Sequence, residues 1–191
     1  MNRLLPERIA AEHADRIRAN LEVVQRHYLA EIRADVDGVM ATLAPEPHYE
    51  YRGTVLGAAE PFAVEGSEAV RRIYELGVEN GGIRHEYELS LVTADRDAVV
   101  TEGVIRHAFA GGLVRELELA FDGEIEHDRW YLVEYPALVV WPFGEEGLLE
   151  GERVYFGNHP RVLRAVSADE YPHLVPEHRT AEAWEPGSAA W

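Results

Sequence analysis

The chain has 191 residues, 47% of them hydrophobic, with 35 acidic side chains against 18 basic ones and a formal charge of −17. That is enough chain for one domain with its own core, and so acidic a surface excludes nucleic acid and anionic membranes as partners. Cysteine and lysine are both missing, which removes thiol nucleophiles, Cys-ligated metals, disulfides, Schiff bases and a P-loop lysine.

No window approaches the ~20 consecutive apolar residues of a membrane span. The N-terminal stretch MNRLLPERIAAEHADRIR turns charged too soon for a signal peptide, so a cytoplasmic protein is expected.

Residues 6–30 repeat apolar groups at Ile9, Ile17, Leu21, Val24 and Tyr28, the threes and fours of an amphipathic helix. Pro6 suits its first turn. Val36, Val39, Met40 and Leu43 predict a short second helix over 34–43, with Asp35 and Asp37 complementing its N-terminal dipole. Pro45 and Pro47 then end helix formation. In EPHYEYRG, residues 46–53, Tyr49 and Tyr51 share one strand face and His48, Glu50 and Arg52 the other. The Gly- and Ala-rich 52–66 reads as a loop. Ser67 is a plausible N-cap for a third helix over 67–80, stopped by Asn80-Gly81-Gly82.

Beyond that point the period drops to two, with strands expected at 83–92, 98–110, 129–143 and 148–156. Residues 111–128 form a long connection. From 158 onward four prolines and weak periodicity predict an extension, packed on the body or partly disordered, with a short helix at 160–167. Trp184 and Trp191 in it are candidates to cover a pocket or a partner. Helices first and an antiparallel sheet afterwards make an α+β fold.

The hairpin GIRHEYELSLVTADRDAVVTEGVIRHAFAGG turns at Asp95-Arg96-Asp97. Centred there, it sets His85 opposite His107, Tyr87 opposite Ile105, Leu89 opposite Gly103 and Leu91 opposite Thr101. That face is apolar except for the two histidines, and a one-residue slip would bury charge instead. The odd-numbered face is therefore the inner one, and the two tyrosines of 46–53 look inward with it.

DVDGVMATLAPEPHYEY, GSEAVRRIY, AVVTEGVIR, ALVVWPF and GLLEGERVYF, in this element order, resemble the SnoaL-like branch of the nuclear-transport-factor-2-like superfamily over about residues 15–157. The resemblance implies a cone-shaped curved sheet wrapped around three helices, with a pocket opening into the cone. It also implies no cofactor and a homodimer. Among the relatives are polyketide cyclases, ketosteroid isomerase, epoxide hydrolases and scytalone dehydratase. The carboxylates that the cyclases, epoxide hydrolases and steroid isomerase use fall, on this chain, at Ile105, Val154 and Tyr51, and the arginine of the epoxide hydrolases falls at Gly103, which disfavours those three mechanisms. The paired histidines of scytalone dehydratase have counterparts in His85 and His107.

The expected catalytic set is thus His85, His107, Tyr49 and Tyr51: a histidine of near-neutral pKa removes a proton and a tyrosine polarises a carbonyl or holds a water. Tyr87, Ile105, Tyr135, Glu152, Val154 and Phe156 are expected to line the substrate pocket. Glu152 reads either as an acid at the pocket mouth or as a solvated strand end. A metal at the histidine pair would need it as a third ligand, and no metal is expected. The ligand is a small, mostly apolar carbonyl or hydroxy compound, and the reaction a cofactor-free lyase or isomerase step. The alternative is a non-catalytic binder or dimeric scaffold of the same fold.

Overall fold

In the computed structural model, residues 3–53, 61–80, 83–157 and 160–175 are described; Gly81, Gly82, Trp184 and Trp191 lie outside them. The first predicted helix is two: α1 (Leu4–Ala11) and α2 (Asp15–Ile32). Glu12 divides them. Its carboxylate accepts from the amides of His13 and Ala14, both at 2.9 Å, closing the turn ahead of α2. Those bonds hold its pKa below the usual range. The helix α3 (Val36–Met40) is capped by Asp35, which accepts from the Gly38 amide at 2.9 Å; Asp37 pairs with Arg71 at 2.8 Å.

Strand β1 (Leu43–Arg52) starts before both prolines. Proline has no N–H to donate, and the pairing between Leu43 and His48 is correspondingly irregular. A short strand β2 (Phe62–Glu65), in the stretch read as loop, hydrogen-bonds to β1. Helix α4 (Ser67–Asn80) follows. The Ser67 hydroxyl does not cap it but donates to the Pro45 carbonyl at 2.6 Å, tying helix to strand.

The hairpin of β3 (Glu86–Ala94) and β4 (Ala98–Ala110) has the expected register as far as Leu89 opposite Gly103. A bulge at Ser90 then sets Val92, not Leu91, opposite Thr101. Leu91, expected inside, is turned outward and 45% exposed. A bulge re-aims every residue beyond it, and no pattern of alternation announces one.

After β4 come α5 (Gly111–Glu116), inside the segment read as a connection, and the strands β5 (Trp130–Pro142), β6 (Leu149–Phe156) and β7 (Arg161–Val166). The last was expected to be helical. It is a strand because β6 covers only Ala137–Val140 of β5, while β7 pairs with Trp130–Glu134. The order is β2-β1-β6-β5-β4-β3, with β7 beside β5 and β1–β6 the parallel pair. This curved, unclosed sheet and the N-terminal helices enclose the main core, which includes Leu21, Val24, Tyr28, Val70, Val99 and Leu149. Leu174 and Val175 are buried in a smaller cluster with Ala108 and Leu132.

Candidate active site

Between α2, α4 and the inner face of the sheet lies a cavity of about 160 Å³. That is close to the ~150 Å³ of an engineered apolar cavity that takes up benzene, so a ligand the size of one ring fits. Its wall includes His85, His107, Tyr51, Tyr87, Ile105, Tyr135, Glu152, Val154 and Phe156. Tyr49 is the member of the expected set that stays behind the wall, its hydroxyl 3.1 Å from that of Tyr74.

At one end of the cavity is a cluster that the sequence reading did not assemble. Glu152, only 6% exposed, is neither a solvated strand end nor a partner of the histidine pair. Its Oε1 lies 2.9 Å from Nε2 of His27, a fully buried residue of α2. Glu31, one turn further along α2, has Oε1 at 3.8 Å from the same nitrogen. The Tyr74 hydroxyl joins all three, at 3.1 Å from His27 Nε2, 3.1 Å from Glu31 Oε1 and 3.2 Å from Glu152 Oε1.

The tautomer of His27 follows from its other nitrogen. Thr42 Oγ1 donates to the Val39 carbonyl at 2.6 Å, so toward His27 Nδ1, also 2.6 Å away, it must accept. Nδ1 therefore carries hydrogen, and one further proton is held between Nε2 and Glu152 Oε1. Burial opposes the charge on His27, but Glu152 and Glu31 together raise its pKa. Burial pushes Glu31 up to about 7, against the pull of His27. The donor atoms of His27, Glu31 and Glu152 all lie within 4.8 Å of one another, a set able to hold a divalent cation. Glu152 Oε2 makes no hydrogen bond among the described residues.

A backbone irregularity places Glu152. Gly151 has φ +127°, and a Cβ there would stand 1.9 Å from the His48 carbonyl oxygen. Only glycine accepts both conditions. The parallel register sets His48 beside Gly151 and Tyr49 beside Glu152, which brings the carboxylate over α2.

The other end carries the histidine pair, its ring centroids 5.5 Å apart. His107 Nε2 is 2.7 Å from the Tyr135 hydroxyl, and the buried Nδ1 side of the ring has the Arg84 backbone as its support. His85 Nδ1 is 3.0 Å from the Ile83 carbonyl. Burial drives both pKa values down, that of His85 to about 4, with His85 further opposing charge on His107. The expectation of near-neutral proton carriers is corrected here: at pH 7 both rings are neutral, because desolvation outweighs the support they have, which for His85 is the Ile83 carbonyl and the field of Glu152. Aromatic faces join the two ends, with Tyr51 stacked on Phe62 at 4.8 Å and Tyr135 edge-on to Phe156 at 5.7 Å.

His27, Glu31 and Tyr74 were missed, although a signal was present. Asn20, Val24, His27 and Glu31 recur at the spacing of a buried helical stripe. A polar residue at a core-facing position needs a partner.

No protein-family model matches the chain, and no curated protein matches it. Solved structures do. A protein from Jannaschia sp. CCS1 described as a SnoaL-like polyketide cyclase is 20% identical with a TM-score of 0.55, over 76% of this chain and 90% of that one. SalBIII, the epoxide hydrolase/cyclase-like enzyme of pyran ring formation in salinomycin, is 17% identical with a TM-score of 0.53, over 75% and 95%. RV0760c from Mycobacterium tuberculosis is 15% identical with a TM-score of 0.52, over 73% and 91%. Glu152 and Val154 alternate along β6 and both line the cavity. Likeness at these identities speaks for the backbone, and the backbone is that of the SnoaL-like, nuclear-transport-factor-2-like cone.

Proposed function

We propose that the chain is a cofactor-independent lyase or isomerase that moves a proton on a small carbonyl or hydroxy compound held in the cavity. The observation that carries this reading is the buried Glu152–His27 pair at 2.9 Å, opening onto an apolar cavity. Glu152 is the base. Oε1 stays on His27 and Oε2 takes the proton from a carbon beside the carbonyl. The same oxygen returns it to a neighbouring position, or to a departing hydroxyl. His27 does not line the cavity; it positions Glu152 and holds the shared proton. Tyr51, whose hydroxyl has no partner among the described residues, donates to the oxygen where negative charge develops. His85, His107 and Tyr135 shape the far wall, and Tyr49 supports Tyr74.

The test is deuterium exchange. Small cyclic and aryl ketones in D₂O, followed by NMR, should lose α-protons faster with enzyme than with buffer. Glu152→Gln should slow that exchange by about 100-fold or more. Exchange that survives the substitution unchanged would sink the assignment of the base. Dialysis against EDTA should leave the rate unaltered, since the pair already holds its proton; a rate that falls and returns with Zn²⁺ would point instead to metal chemistry at His27, Glu31 and Glu152.

The second reading is a non-catalytic binder, favoured by the neutral histidine pair built into the far wall. It predicts saturable ligand binding with no exchange above buffer.

A further inference from the structure

The polar groups on the cavity wall are unequally supplied with hydrogens. The Tyr87 hydroxyl donates to backbone carbonyls, that of Ala137 at 3.1 Å among them. The Tyr28 hydroxyl reaches the His85 carbonyl at 3.2 Å, and the Trp141 indole N–H reaches Thr101 Oγ1 at 2.9 Å. Tyr74 is taken up by the carboxylates and Tyr135 by His107. With Tyr135 donating to Nε2, the neutral His107 ring carries its hydrogen on the buried Nδ1, so Tyr51 is the wall hydroxyl left to a ligand among the described residues.

Acceptors are in excess. Glu152 has a second oxygen and Glu31 a carboxylate held chiefly by Tyr74. The Ile83 carbonyl can only accept, so His85 Nδ1 is the protonated nitrogen and its Nε2, in the neutral ring, is a bare acceptor. Charge is as lopsided as hydrogen bonding. The formally charged groups on the described wall are Glu31 and Glu152, and no arginine lines it. One protonated histidine behind the wall balances one of them.

We propose that the natural ligand is an organic cation: a protonated amine on a ring-sized apolar body, its ammonium group donated to Glu31 and its body laid against the aromatic faces. This rests on the cavity being the site of proton transfer and names the substrate class, a small amino ketone or amino alcohol. Glu31 is the counter-ion and Glu152 stays free to act as base. An ammonium needs acceptors, offers only donors, and gains from aromatic faces around it. A carboxylate or phosphate would meet two negative groups on the wall.

The experiment compares four molecules of nearly one shape: benzylamine, benzyl alcohol, toluene and benzoate, titrated into the full chain by calorimetry at pH 8. Benzylamine should bind at least about tenfold tighter than benzyl alcohol, and benzoate should not bind. Glu31→Gln should remove the preference for the amine and leave benzyl alcohol unchanged. The wild-type comparison stands by itself if that variant fails to fold. Benzyl alcohol or toluene binding as tightly as benzylamine, or silence from all four, overturns the cationic ligand. The proton-transfer reading is judged separately, by the Glu152-dependent exchange on ketones, so that exchange alongside neutral-ligand preference would overturn this inference alone.

Discussion

The two ends of the cavity bury ionisable groups to a similar depth and treat them in opposite ways. At the acidic end each charged form finds a partner: His27 leans on Glu152, and Tyr74 touches every member. At the imidazole end His85 and His107 face each other across 5.5 Å with no carboxylate bonded to either, so both stay neutral. Burial by itself suppresses charge; burial with a partner stores it. The acidic end can therefore exchange protons near neutral pH, and the imidazole end serves as a polar wall.

The comparison breaks most sharply at Gly151. Gly151→Ala should displace Glu152 and lower stability by roughly 2–4 kcal/mol, abolishing exchange while the tilted stacking of His85 on His107 persists. Urea unfolding and histidine NMR shifts check both halves, and an active, stable variant would show that Glu152 does not depend on the glycine.

Stability against pH separates the ends next. The unfolded chain releases the Glu31 proton near 4.5, but the folded one holds it to about 7. The fold therefore loses stability as pH rises across that window, and the loss is complete above it. His85 acts in reverse. Its folded value is about 4 against an ordinary 6.5, so stability is lost as pH falls between them. The slopes oppose each other in the shared window. Glu31→Gln should raise stability at pH 8 by on the order of 2 kcal/mol and expose the histidine slope below pH 6.5. Melting curves from pH 4 to 8 measure it, and an unchanged profile would mean that Glu31 is charged throughout.

Smaller effects sharpen the contrast. Tyr135→Phe removes the 2.7 Å bond to His107 Nε2, and should cost about 1–2 kcal/mol. Adding His107→Phe should restore much of that by removing the nitrogen left without its partner. Tyr49→Phe, which removes only the bond to Tyr74 at 3.1 Å, should cost about 1 kcal/mol and slow exchange little. A larger loss would mean that Tyr49 sets the position of the Tyr74 proton.

Much of the architecture was legible because alternation is a direct record of burial. Tyr87 opposite Ile105 followed from where the charges could not go. The bulge at Ser90 left no such record, since it depends on backbone strain between strands and not on composition. Glu12 could be seen only as one more polar residue on a helix, because the turn its carboxylate closes onto His13 and Ala14 is a matter of local geometry. The site divided similarly. His85 and His107 were visible as a cross-strand pair within one hairpin. His27, Glu31 and Glu152 come from opposite ends of the chain, and pairing a helix with a distant strand requires the register of β1 on β6, which nothing local specifies.

That parallel pair has a kinetic meaning. β1 and β6 lie far apart along the chain, and contacts of such sequence separation carry a large loop-closure cost and are expected to form late. Glu152 reaches His27 only through them. A partly folded chain can complete the histidine hairpin, but it has no assembled base. During refolding, the recovery of the proposed proton exchange should accordingly lag behind the recovery of secondary structure and report the final closure of the cone.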